Sequence, residues 1–300
     1  MVETSDEWIV TRTGISERRV VEPHVATSDL AVEAARRALD DARTRPEEID
    51  LTIVATITPD MVFPATACLV QNAIGAVNSG AFDLEAACSG FVAGVAVASN
   101  MIATGCIRKA LVIGAETLTK ITNYEDRTSC ILFGDGAGAA VIGPSDRRTV
   151  VYSKLGADGS GGNMMRLPAG GSRMPTTAET VRDKLHYMVI HGREVYRFAV
   201  NRMQYCIQDA IDARGYKPED IALVVPHQVN QRILQAAADK FGLPMDKMQI
   251  NIDKYGNTSA ASAAIALDEA AKTRDLKPGD VVLLIAFGGG LTWASALIEW

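Results

Sequence analysis

The chain of 300 residues is 48% hydrophobic and 22% charged, which allows one large α/β unit or two fused halves with a substantial core. This length excludes a small scaffold held together by disulfides. The net charge of −6 and the pI near 5.3 disfavour nucleic acid as a partner, because phosphate binding needs a basic surface.

The sequence favours a cytoplasmic protein with no membrane partner. No stretch reaches the roughly 18 uninterrupted apolar residues of a membrane span. The N-terminus also lacks the basic start and apolar run of a secretory signal. Five cysteines without CxxC spacing argue against a disulfide framework and a zinc site, so no metal is expected.

Apolar, β-branched runs alternate with helical patterns along the chain, which is typical of a layered α/β architecture. In chain order, strands are predicted at 51–57, 80–86, 109–115, 138–143, 222–227, 281–290 and 293–300. Helices are predicted at 28–44, 65–74, 88–104, 178–213, 230–241 and 258–273. This order favours sheets that carry helices on both faces.

A polar, glycine-rich stretch from Pro144 to Pro175 separates two blocks that run through strands and helices in a similar order. We interpret it as a junction, with an N-terminal half at 1–147 and a C-terminal half at 148–300. The similar order hints at an internal duplication, although no residue-level repeat is visible.

Cys88 lies where a predicted strand turns into a predicted helix, in the segment FDLEAACSGF. Unpaired N–H groups and the positive end of the helix dipole at such a position favour the thiolate over the thiol. A buried cysteine that only fills a strand–helix corner would look the same. Chemical partners elsewhere in the chain are therefore needed to assign a nucleophile.

Two polar residues are candidate partners. His227 follows the apolar strand ALVVP, at the edge where α/β folds place their sites, and Asn257 stands between a glycine and a predicted helix. A strand-end imidazole and a helix cap are the structural alternatives. With Gly288–Gly290, whose N–H groups can approach a ligand, these residues supply a thiolate, an imidazole, an amide donor and an oxyanion hole.

The sequence resembles the β-ketoacyl-acyl carrier protein synthase III family over almost its whole length. The resemblance rests on ordered motifs, namely TSDEWIVTRTGI, AACSGF, FGDGAGAAV, VPHQVNQRI, YGNTSAAS and AFGGGLTW. It implies a thiolase-like α/β fold, in which two similar α/β halves form a layered αβαβα core. Members of the family begin with an additional strand and glycine-rich turn, which would precede Val2.

The resemblance implies a decarboxylative Claisen condensation of a short acyl-coenzyme A with malonyl-acyl carrier protein, without a cofactor. Cys88 would carry the acyl group, and His227 and Asn257 would stabilise the enolate formed by decarboxylation. The backbone N–H groups of Cys88 and Gly289 would form the oxyanion hole. A homodimer is expected, since thiolase-like folds pair through their N-terminal halves.

Further residues receive roles from the same resemblance. The residues expected to bind coenzyme A are Trp8, Arg12, Arg127 and Asn230. Those expected to shape the acyl pocket are Phe63, Phe133, Ile190 and Phe287, with Phe63 reaching across the dimer interface. Those expected to dock the carrier protein are Arg193, Arg197 and Arg232. For these residues, core packing and solvated surface charge are the structural alternatives.

Two other functions remain open from the sequence. One is a related starter-unit ketosynthase of polyketide or alkylquinolone biosynthesis, which shares the Cys-His-Asn set but uses other acyl donors. The other is a non-catalytic module that binds acyl groups or the carrier protein, against which the intact Cys88, His227 and Asn257 argue.

Overall fold

The structure is a computed structural model that describes residues 2–146 and 149–300, so the predicted boundary at residues 147 and 148 lies outside the described residues. The helices are α1 (Asp6–Thr13), α2 (Thr27–Asp41), α3 (Thr66–Ile74), α4 (Gly90–Ala103), α5 (Ala178–Arg182), α6 (Gly192–Arg214), α7 (Gln231–Phe241), α8 (Ile252–Tyr255) and α9 (Ala260–Thr273). The strands are β1 (Leu51–Ala55), β2 (Gly80–Leu84), β3 (Ala110–Thr117), β4 (Asp135–Ile142), β5 (Thr149–Ala157), β6 (Met165–Arg166), β7 (Val189–Ile190), β8 (Ile221–Pro226), β9 (Val281–Gly288) and β10 (Thr292–Glu299).

Two four-stranded sheets share one pattern of strand order. In the first, β2-β1-β3-β4, only β4 is antiparallel to its neighbour. In the second, β5-β10-β9-β8, β8 is parallel to β9, and β10 is antiparallel to both β9 and β5. β1, β3 and β4 therefore correspond to β8, β9 and β10. Within the described residues, β10 has β5 as an outer neighbour, whereas β4 forms an edge.

Helices occupy three layers around these two sheets. α4 and α9 pack against each other and against strands of both sheets, so they form the central layer. α2 and α3 cover the outer face of the first sheet, and α6 and α7 cover that of the second. The main core cluster joins α4 and α9 to both sheets through valine, leucine and many alanine side chains. The five layers are the predicted αβαβα arrangement.

Small residues let the central layer approach the first sheet closely. A Cβ atom on Gly114 of β3 would lie 2.3 Å from the carbonyl oxygen of Ala260, at the start of α9. A Cβ atom on Gly138 of β4 would lie 2.7 Å from the Cβ of Ala264. Glycine is required at both positions, and the start of α9 is thereby held against β3.

Strand pairing adds elements that the sequence patterns do not predict. The stretch from Pro144 to Pro175, interpreted as a junction, contains β5, which pairs with β10 along its whole length. The helix predicted at 178–213 is divided into α5, β7 and α6, because Val189 and Ile190 pair with Met165 and Arg166 of β6. The prediction of one continuous helix is therefore wrong, and β5 and β7 both depend on pairing with another strand.

None of the helices in the described part of the chain combines the length and apolar character needed to cross a membrane. Among the same residues, no group of three or more His, Cys, Asp or Glu side chains is arranged to hold a metal ion.

Candidate active site

Cys88 lies in a tight turn between β2 and α4. Residues Ala87–Ser89 form one turn of 3-10 helix, and α4 begins at Gly90. Ala87 has a φ of 46°, a left-handed conformation that costs a non-glycine residue about 1 to 2 kcal/mol. The Cys88 side chain is almost fully buried. The turn presents the thiol between the central helices and the end of β9.

The end of β9 lies directly against this turn. A Cβ atom on Gly288 would lie 2.5 Å from the backbone nitrogen of Cys88, so only glycine fits there. The following Gly289 and Gly290 line a cavity together with Ala87. The structure thus brings Gly288–Gly290 next to the Cys88 N–H group, where the sequence predicts an oxyanion hole.

The electrostatic state of Cys88 differs from the sequence-based expectation. Burial raises the pKa of the Cys88 thiol to about 12, and the nearby Glu116 carboxyl adds to this effect. The Ser259 hydroxyl and the Cys88 backbone N–H lower the pKa by less. The backbone N–H favours the thiolate, as expected from the sequence, but the loss of hydration on burial has the larger effect on the pKa.

His227 follows β8, and its backbone is fixed by a hydrogen bond from its N–H to the carbonyl oxygen of Ile285, 2.7 Å away. Its imidazole is 1% exposed and meets the Phe287 ring edge-on at 5.8 Å. Within the described residues, Nδ1 has no hydrogen-bond partner. Burial lowers the pKa of His227 to about 3, so the imidazole is neutral at ordinary pH.

Gln228, which the sequence analysis did not single out, holds the loop around His227. Its Nε2 donates to the carbonyl oxygens of Pro226 and Gln249, both at 2.9 Å. Its Oε1 accepts from the N–H groups of Asn251 and Ile252. All four bonds are made by one buried side chain, which fixes the end of β8 against the loop before α8. The signal for Gln228 in the sequence was its position directly after His227 in the motif VPHQVN.

Backbone hydrogen bonds fix the main chain of Asn257, and a hydrogen bond from Ser259 fixes its side chain. Its N–H donates to the Leu132 carbonyl at 2.9 Å, and its carbonyl accepts from Gly134 at 3.1 Å. Its Oδ1 accepts from the Ser259 N–H at 2.9 Å. The helix α9 begins only at Ala260, after Ser259, so Asn257 is not its N-cap. The side-chain amide is thereby oriented and buried.

Cys88, His227 and Asn257 line one narrow cavity of about 20 Å³. Its other walls are apolar or backbone, and include Met165, Phe198, Phe287 and Gly288. Residues that are far apart in the chain are thus brought together as the sequence predicts. The arrangement combines a thiol, a neutral imidazole and an oriented amide, all three of them buried.

A pH effect follows from the buried His227. The imidazole is neutral in the folded protein, whereas in the unfolded protein it becomes protonated below pH 6.5. The contribution of neutral His227 to the free energy of unfolding is therefore fully present above pH 6.5 and is lost as the pH falls toward 3. Between pH 6.5 and about pH 5, we expect the free energy of unfolding of the wild-type protein to fall by about 2 kcal/mol more than that of His227→Gln. Urea unfolding at both pH values measures this, with the exposed His24→Gln as control. Equal losses in wild type and His227→Gln would contradict the assignment.

A larger cavity of about 440 Å³ adjoins the narrow one, and Met165 lines both. Its apolar lining comes from Ile57, Ala86, Ala87, Ile121, Met165, Leu167 and Met188. Of the residues predicted for the acyl pocket, Phe287 lines the narrow cavity. Phe133 and Ile190 lie in an apolar cluster that shares Met165 and Met188 with the larger cavity. Phe63 lies apart from both cavities, on the surface.

The residues predicted to bind coenzyme A meet on the surface near α1. The guanidinium groups of Arg127 and Arg12 lie 4.2 Å and 4.5 Å from the centre of the Trp8 ring. Asn230 caps α7 by accepting from the Arg232 N–H, and its Nδ2 donates to the Arg12 carbonyl. The sequence did not predict that Arg12 also stacks on Trp8.

The three arginines predicted to dock the carrier protein are all exposed. Arg193 and Arg197 lie on the first turns of α6, four residues apart, so they share one face. Arg232 lies on α7, where its guanidinium donates to the Thr11 carbonyl at 2.8 Å. Arg232 therefore also ties α7 to α1.

Residues 82–159 match the 3-oxoacyl-[acyl-carrier-protein] synthase III family, and residues 211–300 match the family of its C-terminal part. A β-ketoacyl-[acyl-carrier-protein] synthase III of Caldanaerobacter subterraneus is 56% identical over 301 residues, covering 100% of this chain and 91% of the relative. The chain belongs to the β-ketoacyl-acyl carrier protein synthase III family. The resemblance inferred from the motifs is thus confirmed, and with it the class of condensing acyltransferase.

Solved structures agree with membership of the synthase III family. The 3-oxoacyl-[acyl-carrier-protein] synthase III of Aquifex aeolicus superposes with a TM-score of 0.91 and is 44% identical, covering 99% of this chain and 92% of that one. The priming β-ketosynthase of the R1128 polyketide pathway gives a TM-score of 0.90 at 36% identity, covering 98% and 87%. The thiolase-like fold is confirmed.

Proposed function

We propose that this protein joins a short acyl group, delivered by coenzyme A, to malonyl-acyl carrier protein, and so initiates fatty-acid synthesis. The observation that carries the proposal is the convergence of Cys88, His227 and Asn257 on one buried cavity in a member of the synthase III family. The products are a 3-oxoacyl-acyl carrier protein, carbon dioxide and coenzyme A.

Acyl transfer is the first half-reaction. Cys88 Sγ attacks the thioester carbonyl, and the oxyanion that forms accepts hydrogen bonds from the N–H groups of Cys88 and Gly289. The close approach of Gly288 to the Cys88 nitrogen supports this assignment. Coenzyme A then leaves, and the acyl group stays on Cys88.

Decarboxylation of the malonyl group is the second half-reaction, and it needs donors rather than a base. Loss of carbon dioxide leaves an enolate, whose oxygen accepts hydrogen bonds from His227 and Asn257. The neutral state of His227 suits this role, since an imidazole with a pKa near 3 donates without titrating in the working range. The carbanion then attacks the Cys88 thioester.

A panel of acyl-coenzyme A donors with malonyl-acyl carrier protein tests the proposed function and the polyketide-type alternative together. We expect the highest kcat/KM with acetyl-coenzyme A or a similarly short donor, followed by formation of the 3-oxoacyl product. A preference for long or functionalised starter units would favour a priming ketosynthase. Failure of every donor to condense would overturn the proposal.

The clamp formed by Trp8 and Arg127 is proposed to hold the adenine of coenzyme A. We expect Arg127→Ala to raise the KM for acetyl-coenzyme A about tenfold, because a guanidinium stacked on an aromatic ring contributes about 1 kcal/mol or more. The KM for an acetyl thioester without adenine should stay unchanged. Arg182→Ala, at another exposed arginine, is the control. Equal effects on both substrates would contradict the clamp.

A homodimer is proposed from an exposed apolar segment. Met61, Val62 and Phe63 are consecutive and are 47%, 88% and 84% exposed. Such contiguous exposure is typical of a protein–protein interface. Phe63 would then close the larger cavity of the partner, which is lined by apolar side chains.

Sedimentation over a range of concentrations is expected to show a species of twice 32.0 kDa. Phe63→Asp should shift the equilibrium toward monomer, because a carboxylate cannot be buried without a partner. Val20→Asp, at an isolated apolar residue that is 64% exposed, is the control. An active wild-type monomer at micromolar concentration would refute the dimer.

The carrier protein is proposed to dock on Arg193, Arg197 and Arg232. An acidic partner needs a local basic surface on a chain whose net charge is −6. The exposed positions of Arg193 and Arg197 on one face of α6 support this role.

A further inference from the structure

Ser89 and Thr292 form a pair of hydroxyl groups that the condensation steps above do not use. Ser89 follows Cys88 and is 1% exposed, and Thr292 is the first residue of β10. Their hydroxyl oxygens lie 2.9 Å apart. The Ala86 carbonyl oxygen lies 2.7 Å from the Ser89 hydroxyl oxygen and 2.8 Å from that of Thr292. The pair therefore joins the turn that carries Cys88 to the start of β10.

The Thr292 hydroxyl is hydrogen-bonded to the nucleophile turn in every favourable arrangement of protons. The three oxygens of Ser89, Thr292 and Ala86 make three short contacts, but the two hydroxyls carry only two protons. Any arrangement that leaves a single contact without a proton bonds Thr292 to Ser89 or to the Ala86 carbonyl. Removal of the Thr292 hydroxyl therefore always breaks a bond between β10 and this turn.

The Ala86 carbonyl fixes the shape of the nucleophile turn. It also accepts from the Ser89 N–H at 3.1 Å, and it belongs to the peptide group between Ala86 and Ala87. Ala87 has a φ of 46°, a conformation that persists only where the surrounding structure holds it. The next peptide group along the chain carries the Cys88 N–H. The direction of that N–H therefore depends on how firmly the Ala86 carbonyl is held.

Thr292 also contacts the glycine turn that follows β9. Its hydroxyl oxygen lies 3.2 Å from the Gly289 carbonyl oxygen, and a Cβ atom on Gly290 would lie 2.8 Å from its methyl group. The backbone of Thr292 pairs with Gly288 of β9 on one side and with Ala157 of β5 on the other. Thr292 is thus fixed between two strands, and both branches of its side chain make contacts.

We propose that Thr292 positions the oxyanion hole, an inference that rests on the proposed acyl transfer. The two donors of the hole, the N–H groups of Cys88 and Gly289, come from two separate turns. Thr292 contacts the Ala86 carbonyl in the first turn and the Gly289 carbonyl in the second. Ser89 adds a second hydroxyl within the first turn. By holding the two turns at a fixed spacing, Thr292 keeps both donors directed at one oxygen.

This role predicts which half-reaction depends on Thr292. Donors that are fixed before the reaction need no reorganisation as charge develops on the oxyanion, and a displacement of about 1 Å can slow a reaction about 100-fold. Acyl transfer passes through such an oxyanion. Decarboxylation of the malonyl group uses His227 and Asn257 instead, so loss of the Thr292 hydroxyl should slow acyl transfer selectively.

Two variants separate the hydroxyl of Thr292 from its methyl group. Thr292→Val removes the hydroxyl and keeps the methyl group, whereas Thr292→Ser does the reverse. At saturating labelled acetyl-coenzyme A, we expect Thr292→Val to acylate Cys88 about 30-fold more slowly and Thr292→Ser to stay within about threefold of wild type. The concentration that gives half the maximal rate should stay unchanged, because the hole acts in the transition state. Release of carbon dioxide from malonyl-acyl carrier protein should also stay unchanged.

Thr52→Val is the matched control. Thr52 is fully buried in β1, and its hydroxyl oxygen lies 2.8 Å from that of Ser79, so it forms a similar pair in the first sheet. This control should acylate at the wild-type rate, and its melting temperature should fall about as much as that of Thr292→Val, since each loses a buried hydrogen bond.

Ser89→Ala tests the same contact from the other side, whether or not Thr292→Val folds. We expect it to acylate about tenfold more slowly. The double variant Ser89→Ala/Thr292→Val should be little slower than Thr292→Val alone, because the two hydroxyls act as one unit.

Wild-type acylation rates in Thr292→Val and Ser89→Ala would overturn the positioning role. A loss in Thr292→Ser as large as in Thr292→Val would also overturn it, as would equal losses in both half-reactions, because these results indicate a purely structural role. The proposed function would fail differently, since wild-type protein would then accept no acetyl label at all.

Discussion

Cys88→Ser is expected to lower acyl transfer from coenzyme A by about 10⁴-fold or more, the scale on which loss of a catalytic nucleophile acts. A serine hydroxyl is a much weaker acid than a thiol and stays un-ionised. The buried site strengthens the effect, since burial already raises the pKa of the Cys88 thiol to about 12. Labelled acetyl-coenzyme A provides the measurement, because a Cys88 thioester survives denaturation but is removed by hydroxylamine.

Cys206→Ser is a matched control for this experiment. Cys206 is also buried, and burial raises the pKa of its thiol to about 12 as well, but it lies on the core-facing side of α6. The control variant should keep its acyl transfer while losing some thermal stability. Substantial labelling of Cys88→Ser would remove Cys88 from its proposed role.

The parts of the site that could be predicted are those that a short stretch of sequence marks. His227 follows an apolar strand, and Cys88 stands between a strand and a helix, so each lies at an edge where α/β folds place polar groups. Gly288–Gly290 stands out as a run of three glycines, and Asn257 stands out because a glycine precedes it. The resemblance to the synthase III family then indicated that these residues act in one reaction.

Glu116 could not be predicted in the same way. It stands in the strand ALVIGAET, where nothing local distinguishes it from a strand-end carboxyl in solvent. Its burial and its donors come from Thr56 and Thr58, about 60 residues earlier in the chain. β5 and β7 were missed for the same reason, since each is stabilised by a partner strand rather than by its own pattern. Local patterns in one sequence do not show which distant segments will pair.

The position of Phe63 illustrates a different limit. Its sequence context, MVFPATAC, is apolar and equally consistent with a buried core segment. The structure places it 84% exposed, next to Val62 at 88%. In the proposed dimer a second chain would bury this residue, so its role cannot be inferred from its own sequence context.

Asn257→Ala is expected to slow decarboxylation of malonyl-acyl carrier protein about 100-fold, which corresponds to ~3 kcal/mol for one oxyanion donor. Self-acylation by acetyl-coenzyme A should change little, because that step uses backbone donors. The two half-reactions are measured separately, as carbon dioxide release and as label transfer. The prediction depends on the Asn257 amide being a donor to the enolate and not a structural group.

Asn257→Asp separates these two possibilities. Aspartate keeps an oxygen that can accept from the Ser259 N–H, which Asn257 Oδ1 does at 2.9 Å, but it has no N–H to donate. If the amide serves the enolate, Asn257→Asp should lose decarboxylation at least as severely as Asn257→Ala, since a carboxylate also repels the developing negative charge. If Asn257 only supports the turn before α9, Asn257→Asp should retain decarboxylation, and Asn257→Ala should lose both half-reactions equally. That second pattern would remove Asn257 from the chemistry.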